Sequence, residues 1–117
     1  MQLSDMQIAV VGLGYVGLPL AVEFGRKRSV VGFDINESRI KELENYQDNT
    51  LETTQKELKD AIHLSYSSNL EDIKDCKIYI ITVPTPIDNQ KKPDLSPLKK
   101  ATQLIGSILK KGDIVIY

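Results

Sequence analysis

Uninterrupted apolar runs punctuate this chain, and between them the apolar positions recur at helical spacing. Ile8–Val11, Val30–Phe33 and residues 78–83 contain almost no polar residue and do not alternate, as befits strands covered on both faces in a parallel sheet. After the first run, Val16, Leu20 and Phe24 recur at i, i+4 and i+8, with Gly17, Ala21 and Gly25 as a small-residue row beside them. That spacing predicts a helix lying flat on a sheet, with Pro19 near enough to its start for the missing N–H to matter little. Asn36 is a good N-cap for a second helix, striped by Ile40 and Leu43 and reaching about Tyr46.

The middle of the chain is more polar. Residues 47–53 read as a loop, and Thr54-Gln55-Lys56-Glu57 is a capping-box pattern opening a short helix whose apolar face is Leu58, Ala61 and Ile62. Leu64-Ser65-Tyr66 suits a brief strand and residues 69–73 a helical turn. The strand at 78–83 stops at Pro84-Thr85-Pro86, and a long loop over 85–94 follows. Ser96-Pro97 then reads as an N-cap with proline at the first helical position. Leu98, Ala101, Ile105 and Ile108 carry that helix to Lys110-Lys111-Gly112, and residues 113–117 begin another strand. Strands alternating with helices predict an α/β, Rossmann-type doubly wound parallel sheet of order 3-2-1-4-5, with its ligand crevice at the C-terminal ends of strands one and four. A chain ending in a strand is expected to be truncated after about the fifth main strand, uncovering apolar surface that favours self-association.

Length and charge narrow the possibilities. The 117 residues form one expected domain, 1–117. Fifteen basic and sixteen acidic residues leave a formal charge of −1, and apart from the triplet Arg26-Lys27-Arg28 the basic residues run no longer than the pairs Lys91-Lys92, Lys99-Lys100 and Lys110-Lys111, which argues against a nucleic-acid partner. No apolar run approaches the ~18 residues of a membrane span, and the opening six residues lack the features of a leader, so a soluble, cytosolic chain is expected. Cys76 is the only cysteine and His63 the only histidine. An internal disulfide and a multi-cysteine metal site are both excluded, and packing explains Cys76 better than a nucleophilic or redox role.

The chemistry concentrates where the first strand meets the first helix, at Gly12-Leu13-Gly14-Tyr15-Val16-Gly17. Gly12 supplies the turn, Gly14 lets a pyrophosphate reach the backbone at the positive helix end, and Gly17 lets helix and strand pack closely. A Gly-x-Gly-x-x-Gly alone is weak, but the second strand ends in Asp34, about 20 residues on, where a carboxylate accepts both ribose hydroxyls and repels the 2′-phosphate of NADP. The cofactor expected is NAD; the competing reading has Asp34 only capping a helix or turn. Arg39 either lies over the adenine or near the ribose, or is a solvated surface arginine. Thr85 either offers its hydroxyl at the crevice mouth or is a turn residue between prolines.

Together with residues 11–21, Gly32-Phe33-Asp34-Ile35-Asn36, Val83-Pro84-Thr85-Pro86 and Lys92-Pro93-Asp94-Leu95-Ser96 resemble the UDP-glucose/GDP-mannose dehydrogenase family over essentially the whole chain. Within it the likeness is greatest to the bacterial branch that oxidises UDP-N-acetylhexosamines for capsule, Vi-type or O-antigen polysaccharides. The resemblance implies an NAD-dependent, four-electron oxidation of a sugar C6 alcohol to a carboxylate through an enzyme-held aldehyde and a cysteine thiohemiacetal. It places the pyrophosphate on Gly12, Gly14, Tyr15, Val16 and Gly17, the ribose on Asp34, the adenine beside Arg39, and the approach to the nicotinamide along Val83, Pro84 and Thr85. The family's cysteine, lysine, asparagine and UDP-sugar pocket belong to later domains, and Cys76 does not match the nucleophile. No residue here is therefore expected to be catalytic: the chain should bind NAD without turning over a UDP-sugar, and the full-length parent should be a homo-oligomer. The alternatives are a non-catalytic NAD- or nucleotide-sensing module, or the cofactor domain of a hydroxyacid- or 6-phosphogluconate-type dehydrogenase.

Overall fold

Successive side chains of the first strand, β1 (Ile8–Val11), divide between two cores: Ile8 and Val10 enter one, Ala9 and Val11 the other. This is the period-two alternation of a pleated strand, with both faces apolar because both are covered. The computed structural model describes residues 6–117, so the expectation drawn from the opening six residues falls almost wholly outside the described residues.

The remaining elements are α1 (Gly17–Gly25), β2 (Val30–Phe33), α2 (Glu37–Glu44), α3 (Gln55–Asp60), β3 (Leu64–Ser67), a 3-10 turn at Leu70–Asp72, β4 (Ile78–Ile81), α4 (Ser96–Gly106) and β5 (Ile114–Ile116). The sheet is wholly parallel in the order β3-β2-β1-β4-β5, as the sequence predicts. Residues of α1, α2 and α3 pack with Ile8 and Val10 on one face; the 3-10 turn and α4 close the other over Ala9 and Val11. The chain thus winds outward from β1 to β3, returns to the other side of β1 and winds out again. Val11 is registered with Phe33 on one side and Ile81 on the other, which brings three strand ends to the point where the winding reverses.

Several boundaries differ from expectation. Helix α1 starts at Gly17, leaving Val16 as an exposed N-cap, and its buried face is Gly17, Leu18, Ala21, Val22 and Gly25. The small-residue row is therefore the centre of the contact rather than its margin, because it lets the helix descend onto the strands. Thr54 and Glu57 form the expected capping box, but α3 ends at Asp60, so Ile62 falls off the helix and is 74% exposed. Strand β4 stops at Ile81, two residues short of the apolar run.

Ser96 is not the N-cap of α4. It is already helical, and the Asp94 carboxylate accepts its N–H at 2.9 Å, with Leu95 at the cap position. At the other end the helix stops at Gly106, a turn before Lys110. There Ile108 N–H bonds to Ile105 rather than to Leu104, whose carbonyl takes the Ser107 hydroxyl, so the chain tightens and leaves the α-helical path.

Candidate functional site

The loop from β1 to α1 is shaped by its glycines in three different ways. Gly12 has a φ of +96°, which any side chain would strain, and its N–H donates to Phe33 at the end of β2 (2.8 Å). Gly17 lies against Gly12 so closely that a Cβ would fall 1.7 Å from the Gly12 carbonyl oxygen. The Thr82 hydroxyl, just beyond β4, caps that same oxygen at 2.7 Å. At Gly14 neither reason operates: φ lies outside the left-handed region, and a Cβ would meet nothing within 4 Å. What the missing side chain leaves open at Gly14 is space outside the protein.

That space is a cleft of about 660 Å³ at the ends of β1, β2 and β4. Of the residues expected to meet a cofactor, Gly12, Gly14, Asp34, Arg39, Val83 and Pro84 line it. Tyr15 and Val16 stand exposed on the crown of the loop and Gly17 is buried beneath it. Thr85 is exposed past the strand end and does not form part of the wall. No side chain among the described residues caps α1 at Val16, and its first turn holds no acidic residue, so an anion would meet a helix terminus with its dipole uncompensated.

Asp34 does two jobs within the protein. Its Oδ2 accepts the N–H of Leu13 (3.0 Å), and its Oδ1 accepts that of Asn36 (2.9 Å). The turn-capping role is thus present, and it spends one acceptor site on each oxygen. A carboxylate has about four such sites, so a pair of hydroxyls can still be accepted from the cleft.

Arg39 is not a solvated surface arginine. It is buried: its Nε donates to the Leu13 carbonyl (2.8 Å), and its Nη1 meets Glu42 Oε2 (2.7 Å) and Asp48 Oδ1 (2.9 Å). Asp48 in turn anchors the loop before α3, accepting from the backbone and hydroxyl of both Thr50 and Thr53. Its side chain is wholly enclosed, and burial works against its charge. The hydrogen bonds from Thr50, Arg39 and Thr53 together outweigh that cost and hold the carboxyl well below the usual carboxylate range. Beside them, burial pushes the Tyr66 hydroxyl up to about 12.

The second wall of the cleft was not legible beforehand. Ser96, Pro97, Lys100, Ala101 and Leu104 of α4 line it. Their i, i+4 and i+7 spacing was present in the sequence, but the same helix offers a stronger core stripe through Ala101 and Ile105. The pairing of Arg39 with Glu42 had an i, i+3 signal; that with Asp48, across a polar loop, had none.

Cys76 is buried, and burial lifts its thiol to about 11, in keeping with packing rather than reactivity. His63 is exposed. Among the described residues no group of His, Cys, Asp and Glu is placed to hold a metal ion, and no helix is long and apolar enough to cross a membrane.

Comparison with known proteins agrees with this geometry. The pattern describing the UDP-glucose/GDP-mannose dehydrogenase family, NAD binding domain, matches residues 6–117. The chain is 63% identical over 115 residues to a UDP-N-acetyl-D-glucosamine 6-dehydrogenase of Pseudomonas aeruginosa, covering 98% of this chain and 27% of that protein. It is 57% identical to the Salmonella typhi protein of the same name, with the same coverage. Among solved structures, the UDP-D-ManNAc dehydrogenase of Pyrococcus horikoshii superimposes with a TM-score of 0.86 at 35% identity, over 94% of this chain and 27% of that one. The chain therefore spans about a quarter of the length of the relatives it matches.

Proposed function

The chain belongs to the UDP-glucose/GDP-mannose dehydrogenase family through its NAD-binding domain, and from that premise we propose that it is the cofactor-binding part of an enzyme that oxidises the C6 alcohol of a UDP-sugar to the uronate. The names of the relatives favour a UDP-N-acetylhexosamine as the sugar and bacterial polysaccharide synthesis as the setting. Bound NAD would accept hydride; the residues here would hold it. The pyrophosphate rests on the backbone of the Gly12–Gly17 loop, with Tyr15 and Val16 at its crown. The adenosine ribose is held by the acceptor sites remaining on Asp34, with Arg39 behind it. Val83 and Pro84 wall the path toward the nicotinamide, and Thr85 stands at its outer end. Residues 1–117 act as a single NAD-binding unit of a longer cytoplasmic protein, with the sugar pocket and the nucleophile supplied elsewhere in it. Ile114 and Ile116 on β5, each nearly half exposed, support association with further protein, including another copy.

The observation that carries this reading is Gly14: a backbone position opening on the cleft whose bareness nothing inside the protein requires. Calorimetric titration of NAD into the chain tests it. The wild-type chain should bind, and Gly14→Val should lose binding at least about tenfold while melting at the same temperature, since its side chain enters open space. Equal affinity in the two would overturn the pyrophosphate assignment. No observation in the cleft favours a sensing module over an enzyme's cofactor domain.

A further inference from the structure

Two devices for choosing between NAD and NADP stand side by side here. A carboxylate at the end of the second strand suits the free ribose 2′-hydroxyl, and an arginine nearby suits a 2′-phosphate. Asp34 and Arg39 are both present, both line the cleft, and both hold the same residue: Asp34 takes the N–H of Leu13, and Arg39 donates to its carbonyl. Something must keep the arginine from serving the second device.

We propose that Glu42 and Asp48 are specificity-determining residues, which lock Arg39 away from a 2′-phosphate and so make the site selective for NAD. The inference rests on the NAD reading above. Three of the guanidinium's partners are fixed: Nε on Leu13 and Nη1 shared between Glu42 and Asp48. The remaining nitrogen, Nη2, has no acceptor among the described residues, yet it is buried, so a phosphate can reach it only if the side chain leaves its pairs. Leaving would strand the enclosed Asp48 charge, whose other partners are uncharged backbone and hydroxyl groups of 50–53. Glu42 is held as well, accepting the Asn49 N–H. With Asp34, the cluster sets three carboxylates against one guanidinium, a net negative field at the ribose end of the cleft. Lys100 also lines the cleft, but from α4, the other wall.

Asp34 is then only half of the selectivity. Titration of NAD and NADP into a series of variants separates the halves, with circular dichroism confirming the fold. Asp34→Ser alone should leave NADP binding weak. Adding Asp48→Asn should tighten NADP at least about tenfold, the worth of one released charge-assisted contact, while NAD does not gain. Should Asp48→Asn unfold the loop, Asp34→Ser with Glu42→Gln reads the same effect at a residue with fewer partners. Adding Arg39→Met should abolish the gain. NADP affinity unchanged from Asp34→Ser in the folded double variants would overturn the proposal. So would a gain that survives Arg39→Met, as it would if Lys100 were the phosphate's partner. Absence of NAD binding in the wild-type chain would instead overturn the NAD reading itself, and this inference with it.

Discussion

Gly17 and Gly12 touch through their backbones: the Cβ that any side chain would add at Gly17 falls 1.7 Å from the Gly12 carbonyl oxygen and 2.3 Å from the Thr82 hydroxyl. Both neighbours are fixed, the first by the turn out of β1 and the second by the hydrogen bond that Thr82 makes to it. Gly17→Ala should therefore destabilise the fold by about 3 kcal/mol or more, the upper range of overpacking effects, measured by urea unfolding. Gly14→Ala, in contrast, should shift stability by less than about 0.5 kcal/mol. The comparison separates the glycine that serves packing from the one that serves the ligand.

Asp34→Ala should weaken NAD binding clearly more than NADP binding, read by titration of each. Only NAD presents the 2′-hydroxyl that the carboxylate accepts, and NADP loses a repulsion as well as a contact. Equal losses would argue against the ribose role. The same substitution leaves the buried Leu13 N–H without its acceptor and should cost about 1–3 kcal/mol in stability.

Acid should release the loop over 48–53. The folded pKa of Asp48 lies below its unfolded value, so its contribution to stability is fully present above the ordinary carboxylate pKa and is lost as pH falls through the lower folded one. Unfolding free energies measured from about pH 6 down to about pH 2 should fall more steeply in the wild-type chain than in Asp48→Asn, which lacks the titrating group.

Cys76 should resist thiol reagents while the chain is folded. Its side chain is enclosed, and burial lifts the pKa to about 11, so little thiolate exists at neutral pH. Labelling should become fast only in denaturant, and its rate below the transition should report on opening of the α4 face, whose core Cys76 shares with Ala101 and Ile105. Rapid labelling of the native chain would contradict that enclosure.

How far the sequence alone reached depended on whether a signal was local. Apolar runs mark strands buried on both faces, so β1, β2 and β4 and their order were legible, as were the Asn36 cap and the Thr54–Glu57 box, whose partners lie within a turn. The Gly-x-Gly-x-x-Gly pattern with Asp34 located the cleft. Phase and ends were harder. The stripe Val16, Leu20 and Phe24 competes with the row Gly17, Ala21 and Gly25, and only three-dimensional closeness to Gly12 and Leu64 decides for the glycines. The stop of α4 at Gly106 depends on a serine hydroxyl competing for a carbonyl. Asp48 is nine residues from Arg39 across an irregular loop, where no periodicity connects them. The opposite wall on α4 is brought to the site by topology alone.

Leu13, held by its amide and its carbonyl at once, has an implication for rates. A loop pinned at both ends of one residue is already set before any cofactor arrives, so binding need not spend entropy on ordering it. Association should then run in a single kinetic phase without a slow isomerisation, and cutting either tether should first appear as a lag rather than as a loss of the fold.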